Sequence, residues 1–386
     1  MMIYLDHAAS SPLRPAARVA WNEAVDLPGN AASPHAFGRR AAQRVAEARQ
    51  AVAQLVARDA QEVYFTASGT EANNLAILGL AAAVERNGGI RRAAHSALEH
   101  SCVRGPMASL AARGWDIEVL PVSPDGQLLI PPLQAALARG LAWVSVMAVS
   151  NEVGALQRFS EWRDDVRRAG SLLHVDAVQG VGLLDPRPWD ADLLSVSAHK
   201  LGGGQGVGAL VLREGVRLEP VLRGGPHERG VRPGTLAVAA IAAFGAAASE
   251  AFALRDTEAQ RLTEWRERLE RQLLVAVPGL RVLGAGGPRA PHILSLTLPG
   301  ATGRHLVEQL DLVGVAVSTG AACTSLKQTP NPTLQALGLT EAEAQGSLRI
   351  SLGWTTTADE LERAGDAIAS TLRAMTATKP MRVDHD

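Results

Sequence analysis

The sequence predicts an α/β fold: a mostly parallel sheet covered by helices, followed by a smaller α+β unit. Three observations carry this. Short β-rich runs alternate with helical runs from about residue 60, the candidate strands are continuously apolar rather than alternating, and 386 residues exceed one ordinary core. In order, EVYFT (62–66) precedes the helical EANNLAILGLAAAVER, DIEVLPV (116–122) precedes PPLQAALARG, and LAWVSVMAVS (141–150) precedes EWRDDVRRAG. LLHVDAV (172–178), DLLSVSAH (192–199) and GALVLRE (208–214) complete the predicted sheet. A long helix from about 236 to 277 leads to the second unit. There HILSLTLPG (292–300), a helix from about 302, VAVSTGAACTS, SLRISLGW (347–354) and a last helix from about 357 follow, with TPNP (329–332) marking a turn. Ligands of such sheets bind at the loops beyond the strand ends.

Composition narrows the function classes. With 47% apolar and 20% charged residues and a formal net charge of -1, the chain reads as globular, without the basic footprint of a nucleic-acid binder or a polybasic membrane anchor. MMIYLDHAASS has neither a basic nor an apolar leader region, so a cytoplasmic location is expected. LAVAAIAAFGAAASEAFAL (236–254) is nearly long enough to span a membrane. It is alanine-rich, is interrupted by Glu250, and runs into RDTEAQRLTEWRERLERQLL, so it reads as the buried first half of a long helix. Two cysteines, Cys102 and Cys323, are too few for a disulfide scaffold, and the ten histidines form no HExxH spacing, so no metal is expected.

Lysine usage is the sharpest local signal. Only Lys200, Lys327 and Lys379 are lysines among 38 cationic residues. Lys200 ends an apolar strand in SAHKLGGGQGVG (197–208). A guanidinium stays protonated, whereas a desolvated amine can lose its proton and attack a carbonyl, so Lys200 is a candidate Schiff-base former. The alternative is an ordinary strand-end lysine reaching for water.

Other polar residues fall at predicted strand ends. In FTASGTEANN (65–74), Gly69 and Thr70 open a helix whose first N–H groups suit a phosphate; an ordinary threonine cap is the alternative. Asp176 in HVDAVQ (174–179) is a carboxylate at the end of a buried strand and needs a cationic partner, either a protonated pyridine nitrogen or an arginine, and Gln179 stands three residues on. His100 in EHSCV can stack on a ring or move protons, or be a satisfied core histidine. Along an extended strand Ser197 and His199 share one side, fit to hold a phosphate, and Lys200 leans the other way. Together these are the parts of a pyridoxal phosphate site. Two rival motifs fail on context. Gly204–Ala209 matches G-x-G-x-x-A but is followed by a strand-like run, and Ser197-x-x-Lys200 lacks the companion S-D-N and K-T-G motifs.

Taken in order, YLDHAASS, GNAASPHAFGRR, FTASGTEANN, EHSCV, SNEVGALQ, HVDAVQ, SVSAHK, ERGVRPGT, STGAACTS and SLRISLG make the chain resemble the cysteine desulfurases, pyridoxal phosphate enzymes of fold type I in aminotransferase class V. The resemblance implies a large cofactor-binding domain over 14–255 and a small domain from 1–13 plus 256–386. It implies that Lys200 holds the cofactor covalently, Asp176 pairs with the pyridinium nitrogen, Gln179 with the phenolic oxygen, and His100 stacks on the ring. Gly69, Thr70, Ser197 and His199 would cradle the phosphate, and Thr235 would reach the phosphate of the partner subunit in a homodimer. Asn151 and Arg349 would bind the carboxylate of L-cysteine. Cys323 would take the sulfur as a persulfide and pass it to an acceptor protein in iron–sulfur cluster assembly or tRNA thiolation.

Two of these residues also have a local rationale. In SLRISLG, Leu348, Ile350 and Leu352 share one face and Arg349 and Ser351 the other, and a strand arginine suits bidentate capture of a carboxylate, or else a surface ion pair. Cys323 lies in a run of small residues suited to a mobile loop, against the alternative of a buried structural thiol, which is the reading given to Cys102. His7, Pro233 and Gln205 depart from the family pattern, in loop geometry rather than chemistry. Selenocysteine lyase or another class V reaction would use the same cofactor residues without requiring Cys323. A cofactor-binding protein without turnover is a third reading.

Overall fold

The computed structural model describes residues 2–319 and 331–377, with side chains as far as Met375. In chain order, β1 (Ile3–Tyr4), α1 (Pro15–Val25) and α2 (Ala36–Leu55) precede β2 (Val63–Thr66), α3 (Gly69–Arg86), β3 (Arg92–Ser96), α4 (Ser101–Ala112) and β4 (Asp116–Leu120). Then come α5 (Ile130–Ala138), β5 (Trp143–Met147), α6 (Arg163–Arg168), β6 (Leu172–Asp176), β7 (Leu193–Ser197), β8 (Gly208–Leu212) and α7 (Val238–Ala276). The chain continues with β9 (Arg281–Val282), β10 (Ile293–Thr297), α8 (Gly303–Leu312), β11 (Val315–Ala316), α9 (Pro332–Ala336), α10 (Glu341–Gln345), β12 (Ser347–Ser351) and α11 (Ala358–Ala377).

The central sheet has seven strands in the order β2-β8-β7-β6-β5-β3-β4. Pairing is parallel from β7 to β4, and β8 runs antiparallel to both β7 and β2. Every residue of β5, β7 and β8 is buried, as a sheet covered on both faces requires. The ends of β3, β5, β6 and β7 therefore lie along one edge, where the loops that build the site begin.

Two sequence expectations need correction. The strand β3 went unpredicted because Arg-Ala-Ala-His-Ser carries no β-branched or aromatic residue; its place between β5 and β4 decides its conformation instead. The extended run also does not reach Lys200. It stops at Ser197, and Ala198–Lys200 form one 3₁₀ turn because the N–H groups of Leu201 and Gly203 both turn back onto the Ala198 carbonyl at 2.9 Å. The strand alternation expected for Ser197, His199 and Lys200 does not apply there. The Gly204–Ala209 run leads into strand β8, so it opens no helix.

In the first half of α7, Ala240 to Gly245, Ala247, Ala248 and Ala251 are buried, and beyond them a narrower stripe of Leu262, Arg266, Leu269 and Leu273 faces inward. This apolar span, long enough to cross a membrane by length alone, packs inside the chain's own core. Phe244 meets Phe65 of β2 edge-on at 6.3 Å, a contact contributing about 0.5–1.5 kcal/mol beyond area burial. A second sheet, β12-β10-β9, is antiparallel, and β1 pairs in parallel with β11. Ile3 and Leu5 share a core with Leu262, Leu294, Ile350 and Leu372, so the N-terminal strand packs with C-terminal elements.

Two glycines test the packing. A Cβ on Gly245 of α7 would stand 2.5 Å from the Ala48 Cα in α2, whereas one on Gly105 of α4 meets nothing within 4 Å. Gly245→Ala should cost about 1–3 kcal/mol of stability by overpacking, whereas Gly105→Ala should change stability by less than about 1 kcal/mol, because the better helix propensity of alanine is opposed by the restriction that Pro106 places on a non-glycine residue before it. Denaturant unfolding of both variants measures the contrast.

Candidate active site

A cleft of about 540 Å³ opens at the ends of β3, β5, β6 and β7. Gly69, Thr70, His100, Asn151, Asp176, Gln179, Ser197, His199, Lys200 and Arg349 all line it. Thr235 does not, and is exposed on its own chain. Cys323 lies outside the described residues.

Asp176, the last residue of β6, is buried at the floor. Its Oδ2 accepts from Asn73 Nδ2 at 2.8 Å and its Oδ1 from the Val178 N–H at 3.1 Å. Among the described residues no arginine or lysine forms an ion pair with it. Burial raises its pKa; those two hydrogen bonds, His100 and Lys200 oppose the shift. The site thus holds a carboxylate whose ionised form awaits a positive group.

Beside it, the His100 Nδ1 accepts from the Cys102 N–H at 3.3 Å, which makes His100 the N-cap of α4, and lies 2.9 Å from Cys102 Sγ. Burial lowers the His100 pKa, and burial next to Asp176 pushes the Cys102 thiol up. Cys102 is buried, as read from sequence, but it also lines the cleft and accepts from Asn73 Nδ2 at 3.0 Å.

The start of α3 is built for an anion. Ser68, not Thr70, is the cap, accepting from the Glu71 N–H at 3.1 Å. That leaves the N–H groups of Gly69 and Thr70, the first two of an 18-residue helix, outside the cap. Any Cβ on Gly69 would stand 2.8 Å from Val178 Cγ2 and 3.2 Å from Ser197 Cβ, so only glycine lets the helix start approach the end of β7. His199 has its pKa lowered to about 4 by burial first and Lys200 second, and its Nδ1 lies 3.3 Å from Ser10 Oγ.

One N-terminal turn touches much of this machinery. Lys200 Nζ donates to the carbonyls of Ala8 at 2.5 Å and Ala9 at 2.7 Å, and Gln179 Nε2 donates to the same Ala8 oxygen at 2.8 Å. Gln179 Oε1 faces His292 Nε2 at 3.4 Å. Arg349 is buried on β12, neither on the surface nor free. Its Nη1 donates to the Asn151 carbonyl and its Nη2 to Asp6 Oδ1, both at 2.8 Å.

The ERGVRPGT segment is held by its own buried acid. Glu228 takes both guanidinium nitrogens of Arg49, at 2.8 and 2.6 Å, and the Phe65 N–H at 2.7 Å. Glu228 and Arg229 adopt left-handed backbone, at φ 45° and 53°, which costs energy outside glycine and marks an over-determined segment. Arg232 pairs with Glu71 in the first turn of α3 at 2.8 Å, tying this segment to the start of that helix.

Sequence reasoning missed Asp6, Asn73, Glu99 and Glu152, although each stands within a quoted block. A polar residue beside an assigned one was the available signal. Glu99 lies under the site, its Oε1 accepting from Ser96 Oγ at 2.6 Å and the Met147 N–H at 2.7 Å. Burial, with Asp176 adding to it, raises its pKa to about 8. Glu152, also raised by burial, bonds Asn331 Nδ2 and Thr333 Oγ1. His174, between Ser145 and Ser195 at 3.1 Å each, is a neutral core histidine.

The sequence model of the family described as Aminotransferase class-V matches residues 3–364. A cysteine desulfurase IscS of Dictyoglomus turgidum is 34% identical over 98% of this chain and 97% of its own length. One from an Anaeromyxobacter species is 38% identical, over 98% and 94%. Among solved structures, a NifS-like protein from Rickettsia africae superposes with a TM-score of 0.86 at 28% identity, covering 96% of this chain and 99% of the other.

Glu99 makes a pH prediction. Unfolded, its carboxyl ionises in the usual range near 4. Folded, it keeps its proton to about pH 8. The stability it contributes is complete at low pH and is lost as pH rises through that window. Glu99→Gln keeps the acceptor oxygen and cannot ionise, so its advantage over the wild type should grow with pH, from about 1 kcal/mol near pH 5 to about 3–4 kcal/mol near pH 7. Chemical unfolding at a series of pH values measures the difference.

Proposed function

The chain belongs to the aminotransferase class-V family, and from that premise we propose that it is a cysteine desulfurase which takes sulfur from L-cysteine, leaves L-alanine, and holds the sulfur as a persulfide on Cys323. One observation supports this reading most strongly: a buried, cation-seeking carboxylate at Asp176 shares a single cleft with the amine of Lys200, a helix start suited to a phosphate, and a buried arginine.

The residues fit pyridoxal phosphate, the cofactor on which this family depends. Asp176 lacks an ion-pair partner among the described residues, the Asn73 Oδ1 beside it is buried without a hydrogen bond, and Gly69 keeps the phosphate end open. Lys200 would hold the cofactor, Asp176 would face the ring nitrogen, Gln179 the phenolic oxygen and His100 the ring. Gly69, Thr70, Ser197 and His199 would hold the phosphate, with Thr235 contributed across a homodimer. When bound, pyridoxal phosphate supplies an aldehyde for amine exchange and an electron sink at the substrate Cα.

The chain's own groups do the rest. Asp176, in a site of low dielectric, holds a proton on its partner nitrogen more firmly than a solvated acid would. The Lys200 amine, which lines the cleft, would take the Cα proton of the bound substrate. Arg349, with Asn151 beside it, orients the substrate carboxylate. The Cys323 thiolate forms an S–S bond to the substrate sulfur as the Cβ–S bond breaks, so L-cysteine and the enzyme thiol become L-alanine and the enzyme persulfide. We assign the reaction to the cytoplasm and its sulfur to an acceptor protein, and we divide the chain into a large domain at 14–255 and a small one at 1–13 plus 256–386.

A selenocysteine lyase would keep the cofactor residues without needing Cys323. Cys323→Ser should bind cofactor as the wild type does, while persulfide formation from L-cysteine falls by about 10³-fold or more, the scale on which loss of a nucleophile acts. Sulfide release under reducing conditions measures it, with selenocysteine as the comparison. Wild-type turnover of cysteine by Cys323→Ser would overturn the assignment.

A further inference from the structure

Arg349 and Asp6 are 343 positions apart in sequence and meet at 2.8 Å. The arginine side chain is 3% exposed and the aspartate 19%. Arg349 lines the cleft and Asp6 does not, yet no part of the reaction described above requires a protein carboxylate on the arginine that receives the substrate carboxylate.

We propose that Asp6 is a resident carboxylate that shares Arg349 with the substrate and sets how tightly the site holds α-carboxylate ligands. The inference rests on the reading of Arg349 as the carboxylate-binding group.

Two features make this sharing rather than displacement. The first is rigidity. The Asp6 carbonyl accepts from the Ala9 and Ser10 N–H groups at 3.0 and 3.3 Å and from Tyr4 Oη at 3.1 Å, and Asp6 bridges to Ser351 of β12, so its short side chain cannot swing far from the guanidinium. The second is spare donor capacity. With Nη1 on Asn151 and Nη2 on Asp6, the Arg349 Nε–H is buried with no hydrogen-bond partner among the described residues. An arginine has five N–H donors in a fixed fork, and a second carboxylate can join at those unspent.

Electrostatics gives the consequence. A buried guanidinium with no anion is costly, so Asp6 keeps the empty site charge-balanced. When a ligand carboxylate joins, two like charges share one cation, and the repulsion weakens binding. Product and substrate are both α-amino acids, so the same device limits retention of L-alanine after sulfur has left. Asp6 is in this sense a positioning and affinity-setting residue; it need not touch the reacting atoms.

Calorimetric titration of the holoenzyme with L-alanine, and with L-alaninamide, which lacks the carboxylate, tests this. In Asp6→Asn, L-alanine should bind about tenfold more tightly and KM for L-cysteine should fall, the direction expected when a like charge is removed, while L-alaninamide binds both enzymes alike. Unchanged or weaker L-alanine binding in a folded Asp6→Asn enzyme overturns the proposal, as does equal tightening of both ligands. Arg349→Ala run beside it separates the two readings. If Arg349→Ala holds L-alanine as the wild type does, the assignment of Arg349 fails; if Arg349→Ala weakens it and Asp6→Asn does not tighten it, the role of Asp6 alone fails. Should Asp6→Asn not fold, Asp6→Ser serves in the same titration. Failure of both to fold while Asp6→Glu folds would make the pair a structural ion pair and overturn the proposal.

Discussion

A carboxylate buried at the end of the central strand β6, with no arginine or lysine ion-pair partner among the described residues, is the constraint on which the site turns. Protein interiors do not keep such a group without compensation. Here two hydrogen bonds, from Asn73 and the Val178 N–H, hold Asp176 in place without neutralising it. The cost is borne by a rigid surround. Asn73 comes from α3, whose start also offers the Gly69 and Thr70 N–H groups, so one helix supplies both the Asp176 hydrogen bond and the groups proposed for a phosphate. Glu99 underlies the same region, neutral because it is buried and because Asp176 is nearby. Burial raises the pKa of both neighbouring acids, and a positive ligand beside Asp176 would favour its ionised form.

The second organising element is the turn from Asp6 to Ser10. Its backbone carbonyls take the Lys200 ammonium and the Gln179 amide, Ser10 lies against His199, and Asp6 holds Arg349. This turn follows a strand that packs among C-terminal elements, and it reaches residues at the ends of β6 and β7 in the central sheet. The N-terminal residues thereby join the two cores chemically as well as sterically. An amine fixed by two carbonyls and an arginine fixed by a carboxylate are both held ready before a ligand arrives, which lowers the ordering cost of binding.

Much of the central sheet could be read in advance because continuously apolar runs leave few alternatives to a covered parallel strand. The site residues at strand ends were equally legible, since a polar group that interrupts such a run at its end must face a loop. What escaped has physical reasons. Strand β3 has a composition with no β preference, and only its two neighbours make it a strand. The 3₁₀ turn at Ala198–Lys200 is dictated by backbone hydrogen bonds to a single carbonyl, which no side-chain pattern announces. Asp6 and Asn73 act through partners distant in sequence, and Glu99 joins its neighbour Ser96 to the distant Met147 N–H, so no local spacing identified them. Arg349 was expected on an exposed or a functional strand face; both faces of β12 are buried, and its partner came from the far end of the chain.

The proposed function requires that one amine among three lysines, that of Lys200, bind the cofactor. Borohydride reduction of the protein with pyridoxal phosphate, followed by peptide mass mapping, addresses it directly. The adduct is predicted on the peptide that contains Lys200. Recovery of the label on Lys327 or Lys379 with Lys200 unmodified, or no adduct at all, would contradict the account.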